Sequence, residues 1–160
     1  MHTYRIQGIP DSIAAAARES MRSPQYGHPA HAEVAAGYGP CRQCLRTFQV
    51  GSEERLLFTY QPFNDPDALP APGPVFIHRA PCERYDGTEL PPALRPIPLA
   101  LEGYGASGLP LVQRRVGTLT FEAALHEIFA PSEVRYAHLR NGEVGCFIAR
   151  VDREGVERPA

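Results

Sequence analysis

The chain has no lysine: all 16 of its basic residues are arginine. Schiff-base catalysis and pyridoxal-phosphate attachment both need a lysine amine, so both are excluded. So is the phosphate-binding loop that ends in Lys-Ser or Lys-Thr. Long apolar runs are missing as well. No stretch approaches a membrane span, and Met1 to Arg5 carries neither an apolar h-region nor a small-residue cleavage site. Basic clusters are scarce: the net charge is −2, the pI is near 6.3, and Arg114-Arg115 is the densest basic spot. Two adjacent arginines read as solvated surface, so neither nucleic acid nor a membrane is expected as a partner. The expected location is cytoplasmic, where thiols stay reduced and a structural disulfide is not expected.

What is present is ordinary globular composition, 43% apolar and 21% charged over 160 residues. That length suits one domain with its own core, expected over residues 1–152, followed by a loose polar tail over 153–160. The richness in Arg, Ala, Pro and Gly reads as the coding bias of a GC-rich genome, and a bacterial one is expected; it points to no function.

The pattern predicts a strand over Thr3 to Ile9 and a helix from Pro10 to about Met21, capped by Asp11 or Ser12. Residues 22–40 hold Pro24, Gly27, Pro29, Gly37, Gly39 and Pro40 and read as a long loop. Strands are expected at Leu56–Tyr60 and Val75–His78. Asn64 to Pro74 and Pro81 to Pro98 are expected to be irregular. Leu99–Tyr104 and Leu109–Val116 read as a hairpin. Phe121, Ala124, Leu125, Ile128 and Phe129 share one helical face, with Thr118 or Thr120 as cap. Val134–Arg140 and Val144–Val151 form a last hairpin, with Asn141-Gly142 at the positions a two-residue type I′ turn requires. Strands dominate two separated helices. The fold class is therefore α+β: one domain, a mostly antiparallel sheet, and long Pro/Gly-rich loops.

Gly103-Tyr104-Gly105-Ala106-Ser107-Gly108 matches a dinucleotide fingerprint in form only. The fingerprint needs a helix N-terminus directly after it, and Leu109-Pro110-Leu111-Val112 follows instead. The glycines are read as a hairpin turn. Ser107 does not lie in a Gly-x-Ser-x-Gly elbow.

Cys41-x-x-Cys44 follows a Gly/Pro loop and leads into Leu45-Arg46-Thr47-Phe48, which reads as extended. A redox pair would open a helix, whose dipole lowers the first thiol's pKa. A tight turn before an extended segment suits a zinc knuckle better, although a knuckle needs two further ligands. His78-Arg79-Ala80-Pro81-Cys82 supplies an imidazole at a strand end and a thiol four residues on, enough to close a Cys₃His tetrahedron. The plain alternatives are a strand-end histidine bonded to backbone and a small buried cysteine.

A two-residue turn at Asn141-Gly142 would pair Cys146 with Ala137 and His138 with Gly145. Cys146 would then lie on the apolar face. His138 would line a pocket with Tyr136 and Arg140, where Arg140 could grip an anion, or else sit on a solvated edge. In that register His138→Ala would leave stability nearly unchanged.

The segments "CRQCL", "GPVFIHRAPCERY" and "HLRNGEVGCF" together resemble the bacterial family called domain of unknown function 1203. Its pattern is Cys-Arg-x-Cys-Leu, then Gly-Pro-x-Phe-x-His with a following Cys, then His-x-Arg-Asn and Gly-Cys. The match falls on Cys41, Arg42, Cys44, Leu45, Gly73, Pro74, Phe76, His78, Cys82, His138, Arg140, Asn141, Gly145 and Cys146, within residues 38–151. The resemblance brings no activity with it. It implies that all four cysteines belong to the family's pattern, which favours a shared thiol or metal site over coincidental core cysteines.

The leading expectation is therefore a Cys/His site of Cys41, Cys44, His78 and Cys82 holding zinc. With an open coordination position, His138 and Arg140 become candidates for acid/base and anion-binding roles, with a small anion as ligand. A second reading is a metal-free cysteine enzyme using Cys82 or Cys41 with His78 or His138. A third is a non-catalytic binding module, homodimeric through an edge strand left open by the last hairpin.

Overall fold

The computed structural model describes residues 3–63, 72–106, 108–117 and 119–154. The expected tail beyond Glu154, the possible cap Thr118, Ser107 and residues 64–71 of the expected Pro-rich loop lie outside the described residues. Among those described there are two helices and nine strands in two antiparallel sheets. No described helix is long and apolar enough to cross a membrane.

The chain begins with β1 (Tyr4–Gln7) and α1 (Asp11–Ser20). The expected loop of residues 22–40 contains a short strand, β2 (His31–Val34). It pairs with β3 (Glu54–Tyr60), which pairs in turn with β4 (Gly73–His78). These three form the smaller sheet. The expected irregular stretch after Pro81 holds the two-residue β5 (Asp86–Gly87) and a 3₁₀ turn at Pro92–Leu94. β6 (Leu99–Tyr104) and β7 (Pro110–Val116) make the expected hairpin, and the fingerprint-like glycines form its turn, with Gly105 N–H donating to Leu109 O at 3.1 Å. α2 (Phe121–Ile128) follows, then β8 (Tyr136–Asn141) and β9 (Phe147–Arg153). The larger sheet runs β5-β1-β9-β8-β6-β7. Glu154 extends the ordered chain past β9, bonding through its backbone to Thr3 and through its carboxylate to Arg5.

The two faces of the larger sheet differ in chemistry. One packs Leu101, Ala137, Leu139 and Val151 against Phe121, Leu125 and Ile128 of α2. Thr120 caps that helix by accepting from Ala123 N–H at 3.1 Å. The opposite face carries Tyr104, Glu102, Tyr136, His138, Arg140 and Arg150, because pleating alternates side chains between faces. A second core joins α1, through Ala14 and Ala17, to the smaller sheet through Leu56, Phe58, Val75 and Ile77.

Two local expectations fail. Neither Asp11 nor Ser12 caps α1. The cap position is Pro10, and no side chain bonds there. Asp11 instead accepts from Gln43 Nε2 at 2.7 Å and from Arg84 N–H at 3.1 Å, so a loop partner outcompetes the helix end. The last hairpin also lacks the two-residue turn. Asn141 N–H donates to Cys146 O at 2.9 Å across four intervening residues, and Gly145 takes the left-handed φ of 81°. Gly142 is drawn away from a type I′ role because its N–H donates to Pro98 O at 2.8 Å. His138 consequently pairs with Arg150, not Gly145, and Ala137 with Val151, not Cys146. A register shift between Leu139 and Arg140 then turns Phe147 onto the face of His138, so the hairpin is bulged rather than regular. Both of its strands are interior, and the open edges belong to β5 and β7 in one sheet and β2 and β4 in the other.

Candidate metal centre

The Cys41–Cys44 turn is a knuckle: Leu45 N–H donates to Cys41 O at 2.8 Å and Cys41 N–H to Arg46 O at 2.9 Å. Leu45 closes it with a φ of 60°. The turn is anchored on three sides. Arg42 N–H donates to Phe76 O in β4 at 2.9 Å, Ile9 N–H to Arg42 O at 2.8 Å, and Tyr85 N–H to Gln43 O at 2.8 Å. Gly8 passes so close that a Cβ there would stand 2.1 Å from Gln43 O. These contacts deliver both knuckle thiols to the end of β4, where the chain supplies His78 and, after the Pro81 turn, Cys82.

Cys41, Cys44, His78 and Cys82 bring their ligand atoms within 4.8 Å of one another. Cys41 Sγ lies 3.8 Å from Cys82 Sγ, and Cys44 Sγ 3.5 Å from His78 Nδ1. Around tetrahedral zinc, sulfurs at 2.3 Å and a nitrogen near 2.05 Å lie about 3.8 Å apart (S···S) and about 3.6 Å apart (S···N). The two observed separations match two edges of such a tetrahedron. All four cysteines are free thiols. Three cluster members are buried and Cys82 is half-buried.

The surrounding polar groups fit a cation held by thiolates. His78 Nε2 lies 3.1 Å from Glu53 Oε2, which orients the ring and leaves Nδ1 toward the sulfurs. Phe48 packs on that ring, 4.6 Å between centroids. His78 N–H donates to Cys41 Sγ at 3.3 Å. Arg18 of α1 reaches Cys82 Sγ at 3.4 Å, Gln43 Oε1 at 2.6 Å and His78 O at 3.0 Å. Hydrogen bonds from Cys44 and Cys82 hold the Cys41 thiol far below its usual range. Contact with the Cys41 thiolate pushes Cys44 and Cys82 up, and it also raises His78. Without a cation, three thiolates this close would repel one another. A divalent ion is what allows all three to ionise.

The other expected site residues lie apart from this cluster. His138 is fully buried, ringed by Phe63, Tyr104, Tyr136 and Phe147 at centroid distances of 4.7 to 5.6 Å. Neither of its ring nitrogens has a hydrogen-bond partner among the described residues. Burial, then Arg140 and Arg150, hold its pKa well below the usual histidine value. It is not the pocket-lining residue the expected register required. Cys146, expected in the apolar core, is half-buried and lines a cavity with Arg140. Glu53, Arg18, Gln43, Asp11 and Gly8 escaped the reading of motifs. Gln43 lies inside Cys-x-x-Cys and Asp11 reads as a helix cap; the other three carry no local signal.

No curated protein and no solved structure matches the chain. Residues 38–153 match the family described as protein of unknown function, DUF1203, and the chain belongs to that family.

Proposed function

We propose that this protein binds one zinc ion through Cys41, Cys44, His78 and Cys82, and that the ion is structural. The observation that carries the reading is the pair of separations, 3.8 Å between sulfurs and 3.5 Å between sulfur and imidazole, in a cluster of four donors. Three thiolates and one imidazole favour zinc over harder cations. Four protein ligands close the coordination sphere and leave no position for an activated water. The ion then joins the knuckle to the end of β4 and to the Pro81 turn, segments with little regular structure of their own. Free thiols at these positions suit a reducing, cytoplasmic location.

Metal analysis of protein purified without added metal tests this directly. The expected result is one zinc per chain, with Cys146 alone reacting with a thiol reagent until a chelator exposes the other three. Metal content near zero with four freely reacting thiols would sink the reading.

A further inference from the structure

A cavity of about 250 Å³ opens beside β9, and none of the four cluster residues lines it. Tyr60, Pro74 and Phe147 form apolar wall, while Arg140 and Cys146 supply its polar chemistry. Arg140 is only 8% exposed. Its guanidinium is poorly partnered for so buried a cation. Nη1 donates to Gly145 O at 3.1 Å, and Nη2 stands 3.5 Å from the Tyr104 hydroxyl. Nε lies 3.5 Å from Glu102 Oε2 but makes no hydrogen bond. That same carboxylate oxygen accepts a much shorter bond, 2.5 Å, from Tyr104. A guanidinium has five N–H donors, so most of this capacity is unspent.

A second buried cation lies close by. Arg42 is 7% exposed and is held by two carbonyls, Nε to Phe147 O at 2.7 Å and Nη1 to Pro40 O at 2.6 Å. It makes no ion pair with a carboxylate among the described residues. Arg140 in the wall and Arg42 behind Phe147 are thus two buried cations, and among the described residues Glu102 is the one carboxylate paired with either. Buried charge is costly unless it is paired, and arginine pairs best with the two oxygens of a carboxylate or phosphate.

We propose that this cavity binds a small organic oxyanion, its carboxylate or phosphate paired with Arg140, with the Cys146 thiol in the same wall. The volume admits only a small molecule, and the apolar wall suits a ligand with some hydrocarbon character.

Cys146 provides the readout. Its alkylation by anionic iodoacetate and by neutral iodoacetamide is followed by peptide mass spectrometry, in the folded chain and in urea. The iodoacetate-to-iodoacetamide rate ratio at Cys146 is expected to be about tenfold higher folded than unfolded, as one charge-assisted hydrogen bond implies. Arg140→Gln should return the ratio toward the unfolded value. Because that change disturbs a buried network, a second arm uses the unaltered chain. Acetate or inorganic phosphate should slow iodoacetamide at Cys146, whereas sodium chloride at matched ionic strength should not. Protection by acetate assigns a carboxylate ligand and protection by phosphate a phosphate ester; either supports the proposal. A ratio within about twofold of the unfolded one overturns it, since less than one such bond is then at work. So does failure of both salts to protect, or a Cys146 that reacts with neither reagent. A chain lacking zinc can still pass or fail, because the readout is confined to Cys146.

Discussion

Replacing Gly8 by alanine should damage the metal centre without touching a ligand. The new Cβ would stand 2.1 Å from Gln43 O and 2.7 Å from Arg42 O, where ordinary contact begins at 3.4 Å. Both obstacles are backbone, so no flexible side chain can swing aside. Gln43 O is held by Tyr85 N–H and Arg42 O by Ile9 N–H, each at 2.8 Å, and relief of the clash must strain or break both bonds. Overpacking of this kind costs about 1–3 kcal/mol, and two compromised backbone bonds add about 1 kcal/mol each. The expected loss is about 3–5 kcal/mol in urea unfolding, present in excess zinc and in chelator alike. Zinc affinity should fall too, because the displaced carbonyls belong to the residues between Cys41 and Cys44. A Gly8→Ala chain within about 0.5 kcal/mol of the original, with unchanged zinc affinity, would refute the close approach of β1 to the knuckle.

Glu53→Gln should weaken zinc binding about 10–100-fold, the usual consequence of losing a carboxylate behind a ligating histidine, in competition with a colorimetric chelator. The metal-free stability should hardly change; an unaltered zinc affinity would remove Glu53 from that role. His138 stays neutral in the folded protein, so below the ordinary histidine pKa of about 6.5 only the unfolded chain takes up its proton, and stability falls as pH falls. His138→Phe should remove about 1.4 kcal/mol of that loss per pH unit below 6.5, read as the difference between the two chains in urea at pH 5 to 7. Parallel pH profiles would count against a buried neutral ring. Thr120→Ala should cost about 1 kcal/mol in the same assay by uncapping α2, and no measurable loss would contradict the Thr120–Ala123 bond.

The Cys/His cluster was legible because its parts are local. Cys-x-x-Cys makes a turn by itself, and His78 and Cys82 flank a proline turn at the end of a strand. Patterns of that length survive whatever the rest of the chain does. The register of the last hairpin was illegible for the opposite reason. Asn141-Gly142 has the local preference of a type I′ turn, but Gly142 N–H is captured by Pro98, a residue more than forty positions away. That one tertiary bond moves the turn and, with the bulge, sends His138 into the aromatic cluster and Cys146 to the cavity. β2 was hidden by the prolines and glycines around it, since a four-residue edge strand owes its existence to pairing with β3. Likewise Asp11 reads as a helix cap in any local view, and only the arrival of Gln43 and Arg84 shows its other use.

Arg42 explains why the knuckle and the bulge of β9 occur together. Its backbone is part of the knuckle, fixed to Phe76 and Ile9, while its side chain crosses to the Phe147 carbonyl at the bulge. In the observed register an unbulged hairpin would aim Phe147 at the opposite face, so the bulge and the buried guanidinium depend on the same local distortion. Two carbonyl dipoles satisfy hydrogen bonds but do not neutralise a desolvated charge, whose burial costs several kcal/mol. Under the proposed occupancy the counter-charge comes from two sides. Zinc with three thiolates and a neutral imidazole carries a net charge of −1 next to Arg42, and an oxyanion in the cavity would add its own beyond Cys146. The carboxylate beside Arg140, Glu102, already accepts from Tyr104. A bound zinc would thus offset the buried charge that ties the knuckle to β9, and the cavity wall takes its geometry from that tie.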